Sequence, residues 1–331
     1  MKIETHSRLH VTLIDLNGKY GRIDGGVGIT TKNPKLVMEA EGGYDDIQVK
    51  FSPQILSNLN MDITDDYKEK IISAASKISE FLNLNEGYHF KLSKIFPSHS
   101  GLGSGTQLSM AAAKLILKLN DKDHNSPEIA EIIGRGGTSG IGVASFDTGG
   151  FIVDGGHKSS LKKSFLPSSA SKASPPPIIA RYDFPQDWKI IMVIPHVERK
   201  VFGDGEVNIF QKYCPIPLRE VQELIHVLLM KLMPAVIEQD LDDFGQAINT
   251  VQNVGFKKIE LELQHSLIHE LIENMRTAGA AGVGMSSFGP TVYAITDNGS
   301  KEISKAAQDT MEEIGGKIII TKAQNSGAII K

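Results

Sequence analysis

The densest chemical signal in this chain is a run of ten residues, Pro97-Ser98-His99-Ser100-Gly101-Leu102-Gly103-Ser104-Gly105-Thr106. Its glycines allow a tight turn and a close approach of backbone N–H groups to a ligand. Where such a run enters a helix, the unpaired amides and the positive end of the helix dipole form an anion site. Ser100, Ser104 and Thr106 add hydroxyl donors. No Gly-Lys-Ser/Thr follows, so this is not the P-loop pattern. Taken alone, the run serves a plain tight turn as readily as a phosphate site.

The segments around it predict the elements that would position it. Leu108, Ala111, Ala112, Leu115 and Leu119 fall on one helical face directly after the loop. Ahead of it, Lys2–Leu16 reads as a half-buried strand, with Ile3, Leu9, Val11 and Leu13 on one parity, and Ile47–Phe51 and Tyr88–Leu92 read as further strands. Asp65–Leu82 has helical spacing, and Ser126-Pro127-Glu128 is a helix start with Ser126 as its cap, in a helix that stops near Gly134. A second glycine-rich stretch runs from Gly134 to Gly156. The serine- and proline-rich segment around Pro167–Pro177 reads as an exposed loop. Beyond it come a buried strand Trp188–Pro195 and helical patterns over Leu218–Lys231 (broken near Pro234), Leu241–Gln252 and Glu260–Arg276. A third glycine-rich segment, Gly279–Pro290, precedes strands Thr291–Thr296 and Lys317–Thr321. This pattern predicts an α+β protein in two lobes: 1–165, a loop or linker over 166–187, and 188–331.

With 331 residues, 40% of them hydrophobic, the chain can build a substantial core. A formal charge of -4 gives no general attraction to nucleic acid or anionic lipid, so any phosphate must be held by local groups. The single cysteine, Cys214, excludes an internal disulfide and suits a reducing compartment; it reads as a packing residue rather than a nucleophile. Met1–His10 lacks the apolar run of a signal peptide, and no stretch nears the roughly 18 apolar residues of a membrane span, so a cytoplasmic protein is expected.

Pro97–Thr106 resembles the phosphate-binding signature of the GHMP kinase superfamily, which includes galactokinase, homoserine kinase and mevalonate kinase. Ser7–Leu16 resembles the superfamily's first motif and Gly279–Pro290 its glycine-rich third, in the same order. The resemblance implies a first lobe like domain 2 of ribosomal protein S5, a ferredoxin-like second lobe, and a ligand between them. Two positions depart from the kinase pattern. Gly105 replaces the second serine of the loop, and Gly142 stands where the kinases carry an aspartate near the acceptor hydroxyl. A glycine can neither accept a proton nor orient a hydroxyl. The variant pattern, through Ser7–Leu16, Gly21–Gly28, Gly134–Gly142, Gly150–His157 and Phe210–Pro217, resembles an archaeal branch, the beta-ribofuranosylaminobenzene 5'-phosphate synthases of methanopterin biosynthesis.

That resemblance implies a phosphoribosyltransferase joining phosphoribosyl pyrophosphate to 4-aminobenzoate or 4-hydroxybenzoate, with loss of pyrophosphate and carbon dioxide. Such chemistry needs a cradle for phosphates, a cation for the leaving group and negative charge near the developing oxocarbenium. The expected cradle is Ser98, His99, Ser100, Gly101, Gly103, Ser104, Gly105 and Thr106, with Gly142 and Gly284 at the substrate. Arg22 is a candidate to grip pyrophosphate or the benzoate carboxylate. Asp15, on an otherwise apolar strand, would stabilise the oxocarbenium, partner Arg22, or simply end the strand. Arg8 and His10 share that strand as secondary candidates, and His157 would polarise pyrophosphate or cap a turn. Magnesium is the expected cofactor, brought with pyrophosphate, with Asp24, Asp147 and Asp154 as candidate ligands. No organic cofactor, nucleic acid or membrane partner is expected, and a homodimer is among the assemblies considered. The rival readings are an ATP-dependent small-molecule kinase and a non-catalytic phosphosugar sensor.

Overall fold

The computed structural model describes residues 1–57, 61–97, 99–168, 170–197 and 204–331. The first strand, β1 (Lys2–Asp15), pairs antiparallel with a long bent partner, β2 (Arg22–Tyr44). β3 (Gln48–Phe51), the short helix α1 (Pro53–Leu56) and α2 (Met61–Leu82) follow, then β4 (Gly87–Lys94), which pairs with both β2 and β3. α3 (Ser104–Leu119), α4 (Ser126–Ile133) and α5 (Ile141–Asp147) come next. β5 (Phe151–Asp154) pairs with β2 at Gly26–Ile29, and β6 (His157–Lys158) pairs with Arg22 and Ile23.

β7 (Ile178–Tyr182) pairs with β5, so the second half of the expected linker belongs to the first sheet. The first half is not free either. A Cβ added at Gly136 would lie 2.9 Å from Pro175, so this stretch packs over the glycine-rich segment before α5.

The second lobe starts at β8 (Lys189–Pro195) and continues through α6 (Asp204–Tyr213), α7 (Leu218–Val227), a π-helical stretch Leu228–Leu232 and α8 (Met233–Glu238). Pro234 does not break this run. It removes a backbone donor, and the helix carries a wider π turn just before it. α9 (Leu241–Val251) is followed by two helices where the sequence predicts one from Glu260: α10 (Gly255–Glu262) and α11 (Ser266–Thr277). They are separated at His265, whose Nδ1 accepts from Leu267 N. β9 (Gly282–Met285), β10 (Val292–Thr296), α12 (Ser300–Thr310) and β11 (Gly316–Thr321) complete a four-stranded antiparallel sheet of order β11-β8-β10-β9. A last strand, β12 (Ile329–Ile330), returns to β1.

Burial on both faces explains the unbroken apolar run of β8. Ile191 and Val193 join a cluster with Leu271 and Met275 of α11 and Ile303 and Ala307 of α12, while Ile190 and Met192 join the main core shared with the first lobe. In the first lobe, α2 and α3 send Ile71, Ala75, Ile78, Leu108, Ala112 and Leu115 into that same core. α4 is capped by Asn125, not Ser126: Asn125 Oδ1 accepts from Glu128 N at 2.9 Å and Glu128 Oε2 accepts from Asn125 N at 3.2 Å. No described helix is long and apolar enough to cross a membrane.

Candidate active site at the loop between the lobes

The glycine-rich loop leads into α3 with Gly103 as N-cap, at φ 83°. No side chain caps this helix, so its first amides are not claimed by a cap. The loop is held from the second lobe. Ser286 Oγ donates to Gly101 O at 2.7 Å and Thr291 Oγ1 donates to Ser100 O at 2.6 Å. A Cβ at Gly101 would fall 2.3 Å from Ser286 O, so only glycine fits there. Ser286 Oγ also accepts from His10 N at 2.9 Å, and Ser287 N donates to His10 O at 2.9 Å. The loop and β1 are thus fastened at one seam.

Cations surround the first turn of α3. Arg8 donates to Gly101 O and passes beside Gly103, where an added Cβ would meet it at 3.2 Å. Arg135 and Lys70 flank Gly105, at 3.8 and 3.5 Å from an added Cβ. Arg135 donates to Ser109 Oγ at 3.1 Å, and Lys70 pairs with Asp66. Burial pushes Arg8 down to about 10, against the pull of Glu260, and burial likewise lowers Arg135. Desolvated guanidinium groups of this kind gain most from an anionic ligand.

A cavity of about 210 Å³ opens beside this loop. Arg8, Arg135, Thr106, Ser139 and Gly142 are among its polar and glycine lining. Leu13, Phe210 and Phe288 form an apolar wall backed by Phe256, with ring centroids of Phe210 and Phe256 4.7 Å apart. Two carboxylates, Glu206 and Glu260, also line the cavity, Glu260 paired with the fully buried Lys257. Lys257 Nζ also donates to Met285 O at 3.3 Å and Ser287 O at 3.1 Å. Desolvation raises Glu260, opposed by Lys257 and Arg8, and the same burial lowers Lys257.

Of the residues expected from the sequence, Arg8, His10, Thr106 and Gly142 line this cavity. Ser100 Oγ is spent on Pro97 O at 2.8 Å, and Ser104 is buried at the helix start. His99 is exposed, 3.7 Å from Asp66 Oδ2, and Ser98 lies outside the described residues. Gly284 is interior to β9, where a Cβ would strike Gln252 Nε2 and the Tyr293 hydroxyl at 2.8 Å; the third motif reaches the cavity through Ser287 and Phe288 instead.

Asp15 and Arg22 lie on the far side of the Asp154–Gly156 turn, along a separate apolar groove with Ile179, Leu228 and Leu229. Asp15 Oδ1 accepts from Asn17 N and Gly18 N, a turn at the strand end. Arg22 donates to Gly155 O at 2.7 Å and Gly156 O at 2.6 Å.

The carboxylates considered for magnesium have other occupations. Asp24 Oδ2 meets His157 Nδ1 at 2.6 Å and Lys162 Nζ at 2.9 Å, and His157 Nε2 faces Ser174 O. Asp154 accepts from Ser139 Oγ, Gly140 N and Gly156 N. Asp147 is exposed and accepts from Ser126 Oγ. Among the described residues no group of three or more His, Cys, Asp or Glu side chains could hold a metal. Cys214 packs beside Phe210, its thiol pushed up by burial to about 12.

Sequence reasoning missed Arg135, Ser139, Lys257 and Glu260 as site residues. Arg135 and Ser139 stand inside the glycine-rich stretch and were legible as part of a motif. Lys257 and Glu260 sit in an ordinary amphipathic helix with no local mark.

The GHMP kinases N terminal domain matches residues 69–153 and the GHMP kinases C terminal domain residues 232–313. The fold resembles Leishmania major mevalonate kinase in complex with R-mevalonate (TM-score 0.69, 14% identity, 99% of this chain and 97% of that one). It also resembles homoserine kinase from Cytophaga hutchinsonii (TM-score 0.64, 15% identity, 99% and 96%). Full-length relatives are far more similar. Beta-ribofuranosylphenol 5'-phosphate synthase of Methanothermobacter thermautotrophicus is 52% identical over 99% of this chain and 98% of its own length. Its counterpart in Methanocaldococcus jannaschii is 47% identical over 99% of each. A kinase-type phosphate loop with glycine at position 142, and identity of this order from end to end, place this chain in the beta-ribofuranosylphenol 5'-phosphate synthase family of the GHMP superfamily.

Proposed function

We propose that this chain is a cytoplasmic phosphoribosyltransferase joining phosphoribosyl pyrophosphate to 4-hydroxybenzoate. Pyrophosphate and carbon dioxide leave, and the product is β-ribofuranosylphenol 5'-phosphate. The observation that carries this reading is one cavity with two unlike kinds of lining: the guanidinium groups Arg8 and Arg135 beside the start of α3, and the apolar Leu13, Phe210 and Phe288. Phosphates suit the first and a flat benzoate ring the second. The names of the full-length relatives support the phenol product over the aniline one.

In this reading Arg8, Arg135 and the first turn of α3 hold the phosphates. Of the two carboxylates lining the cavity, Glu206 and Glu260, Glu260 is the one taken to stand where positive charge develops at the anomeric carbon. The ring carbon bearing the carboxylate bonds to the anomeric carbon as pyrophosphate departs with the C–O electron pair. Loss of carbon dioxide returns the C–C pair to the ring and restores aromaticity, so no aryl proton is removed. Gly142 fits this account, because an acceptor carbon needs no base at that position. Magnesium would come on the pyrophosphate of the donor, as its counter-ion, since the carboxylates among the described residues form no cage for it. Arg22 serves by fixing the turn that carries Asp154, and Asp15 by closing the Asn17–Gly18 turn at the end of β1.

The test is an assay for pyrophosphate and labelled carbon dioxide from phosphoribosyl pyrophosphate with carboxyl-labelled 4-hydroxybenzoate. Stoichiometric release of both is expected. ADP formed from ATP and a small alcohol, with no carbon dioxide, would favour the kinase and sink this reading.

A further inference from the structure

His10 lines the cavity and is 6% exposed. The register of β1 against β2 shifts between His10 and Thr12, a bulge of the kind that re-aims a side chain beside a site. Hydrogen-bond accounting around the ring fixes its tautomer. Ser139 Oγ donates to Asp154 Oδ2 at 3.0 Å, and Asp154 is otherwise filled by Gly140 N and Gly156 N. Having given its proton to the carboxylate, Ser139 can only accept from His10 Nε2, 3.2 Å away. Nδ1 therefore keeps its lone pair, and it is buried with no partner.

An unsatisfied buried acceptor is costly unless a ligand fills it. The charges acting on the ring are Arg8 on its own strand and Lys257 on α10; Glu206 and Glu260 line the same cavity, and Asp154 lies behind Ser139. Burial first, then Arg8 and Lys257, hold His10 well below its ordinary value, so the ring is neutral and Nδ1 is free to accept. Glu260 is engaged by Lys257.

We propose that His10 is the base of the condensation: its Nδ1 takes the para-hydroxyl proton of the acceptor ring, with Ser139 and Asp154 holding the tautomer. This rests on the reading of the cavity as the condensation site. As the new C–C bond forms, positive charge spreads to the para oxygen, and its O–H becomes acidic enough for a neutral imidazole to remove. The O–H pair moves to the ring as a cyclohexadienone, whose carboxylate then leaves as carbon dioxide. The C–C pair returns the ring to a phenolate, which takes the proton back from His10. The net reaction consumes no proton at His10.

The variant His10→Gln keeps an N–H for Ser139 but cannot take a proton. Turnover is compared on 4-hydroxybenzoate and on 3,5-difluoro-4-hydroxybenzoate, whose phenol is already ionised at neutral pH. We expect a loss of about 100-fold or more on the first acceptor, the range of general-base effects, and under about 10-fold on the second. Phosphoribosyl pyrophosphate affinity, measured by calorimetry, should stay within about threefold. Ser139→Ala, which frees the tautomer, should show the same acceptor dependence at smaller amplitude and carries the test if His10→Gln fails to fold. Equal losses on both acceptors, or no loss on either, would overturn the role of His10. Absence of condensation by the wild-type protein would sink the parent reading along with it.

Discussion

The pairing of Lys257 with Glu260 permits a sharp separation of stability from chemistry. Lys257 has no exposed surface and Glu260 is 3% exposed, so neither charge is solvated well. Lys257→Met strips Glu260 of its counter-ion inside the protein, and removing one member of a buried pair costs about 3–5 kcal/mol. Arg8 remains near enough to pull on Glu260, which argues for the low end, about 3 kcal/mol. Lys257→Met with Glu260→Leu removes the stranded charge and should return to within about 1 kcal/mol of wild type. Urea unfolding followed through Trp188, the chain's single tryptophan, buried beside Phe184 and Phe244, reads both variants. The double variant should fold and still fail to condense substrate, because Glu260 is gone from the cavity. If the double variant is as unstable as the single one, the pair is not a coupled buried unit. If it turns over at the wild-type rate, Glu260 has no part in stabilising the anomeric centre.

Three further outcomes follow from the same geometry. Gly142→Asp places a Cβ within about 3.2–3.3 Å of Thr106 and a carboxylate toward the acceptor; with two negative charges 4 Å apart worth about 4 kcal/mol at an effective dielectric near 20, calorimetry should show hydroxybenzoate binding lost and phosphoribosyl pyrophosphate binding kept. Arg135→Gln should raise the Kd for phosphoribosyl pyrophosphate about 10-fold or more, the worth of one charge-assisted hydrogen bond, and an unchanged Kd would remove Arg135 from the phosphate site. Asp154 is raised by burial from 3.8 to about 6, so the folded protein holds its proton where the unfolded chain has released it. Its contribution is therefore present at low pH and lost as pH climbs through about 4 to 6. Relative to Asp154→Asn, unfolding titrations should show the wild type gaining about 3 kcal/mol on acidification across that window.

Strands with clear alternation, such as β1 and β3, the continuous apolar run of β8, and helices with a clean apolar face, such as α2 and α3, were legible in the sequence to within a few residues. β2 was not. Asp24-Gly25-Gly26 reads as a turn, yet Gly26 and Gly28 are mid-strand, where a Cβ at Gly28 would meet Leu9 O at 2.7 Å. The glycines mark a close backbone approach, which local pattern cannot distinguish from a turn. For the site, the loop and Gly142 were legible because motif order carries information across the chain. The assignment of the acids and arginines was weaker: Arg22 has the right chemistry but spends it on Gly155 and Gly156. Arg135, Lys257 and Glu260 meet only through tertiary packing, which no spacing encodes.

The seam at Ser286–Thr291 has a mechanical consequence. Two-lobed enzymes commonly close on substrate by swinging one lobe about a hinge, leaving each half of the site intact when open. Here the second lobe supplies the side chains that pin Gly101 and Ser100, and the backbone that pins His10. A swing at this point would not uncover the cradle; it would dismantle it. Recognition of the donor and cohesion of the two halves are thereby one equilibrium, so saturating donor should resist pulling the lobes apart as directly as it resists unfolding. A chain cut between the lobes would lose anion recognition in both pieces and regain it only when they reassociate.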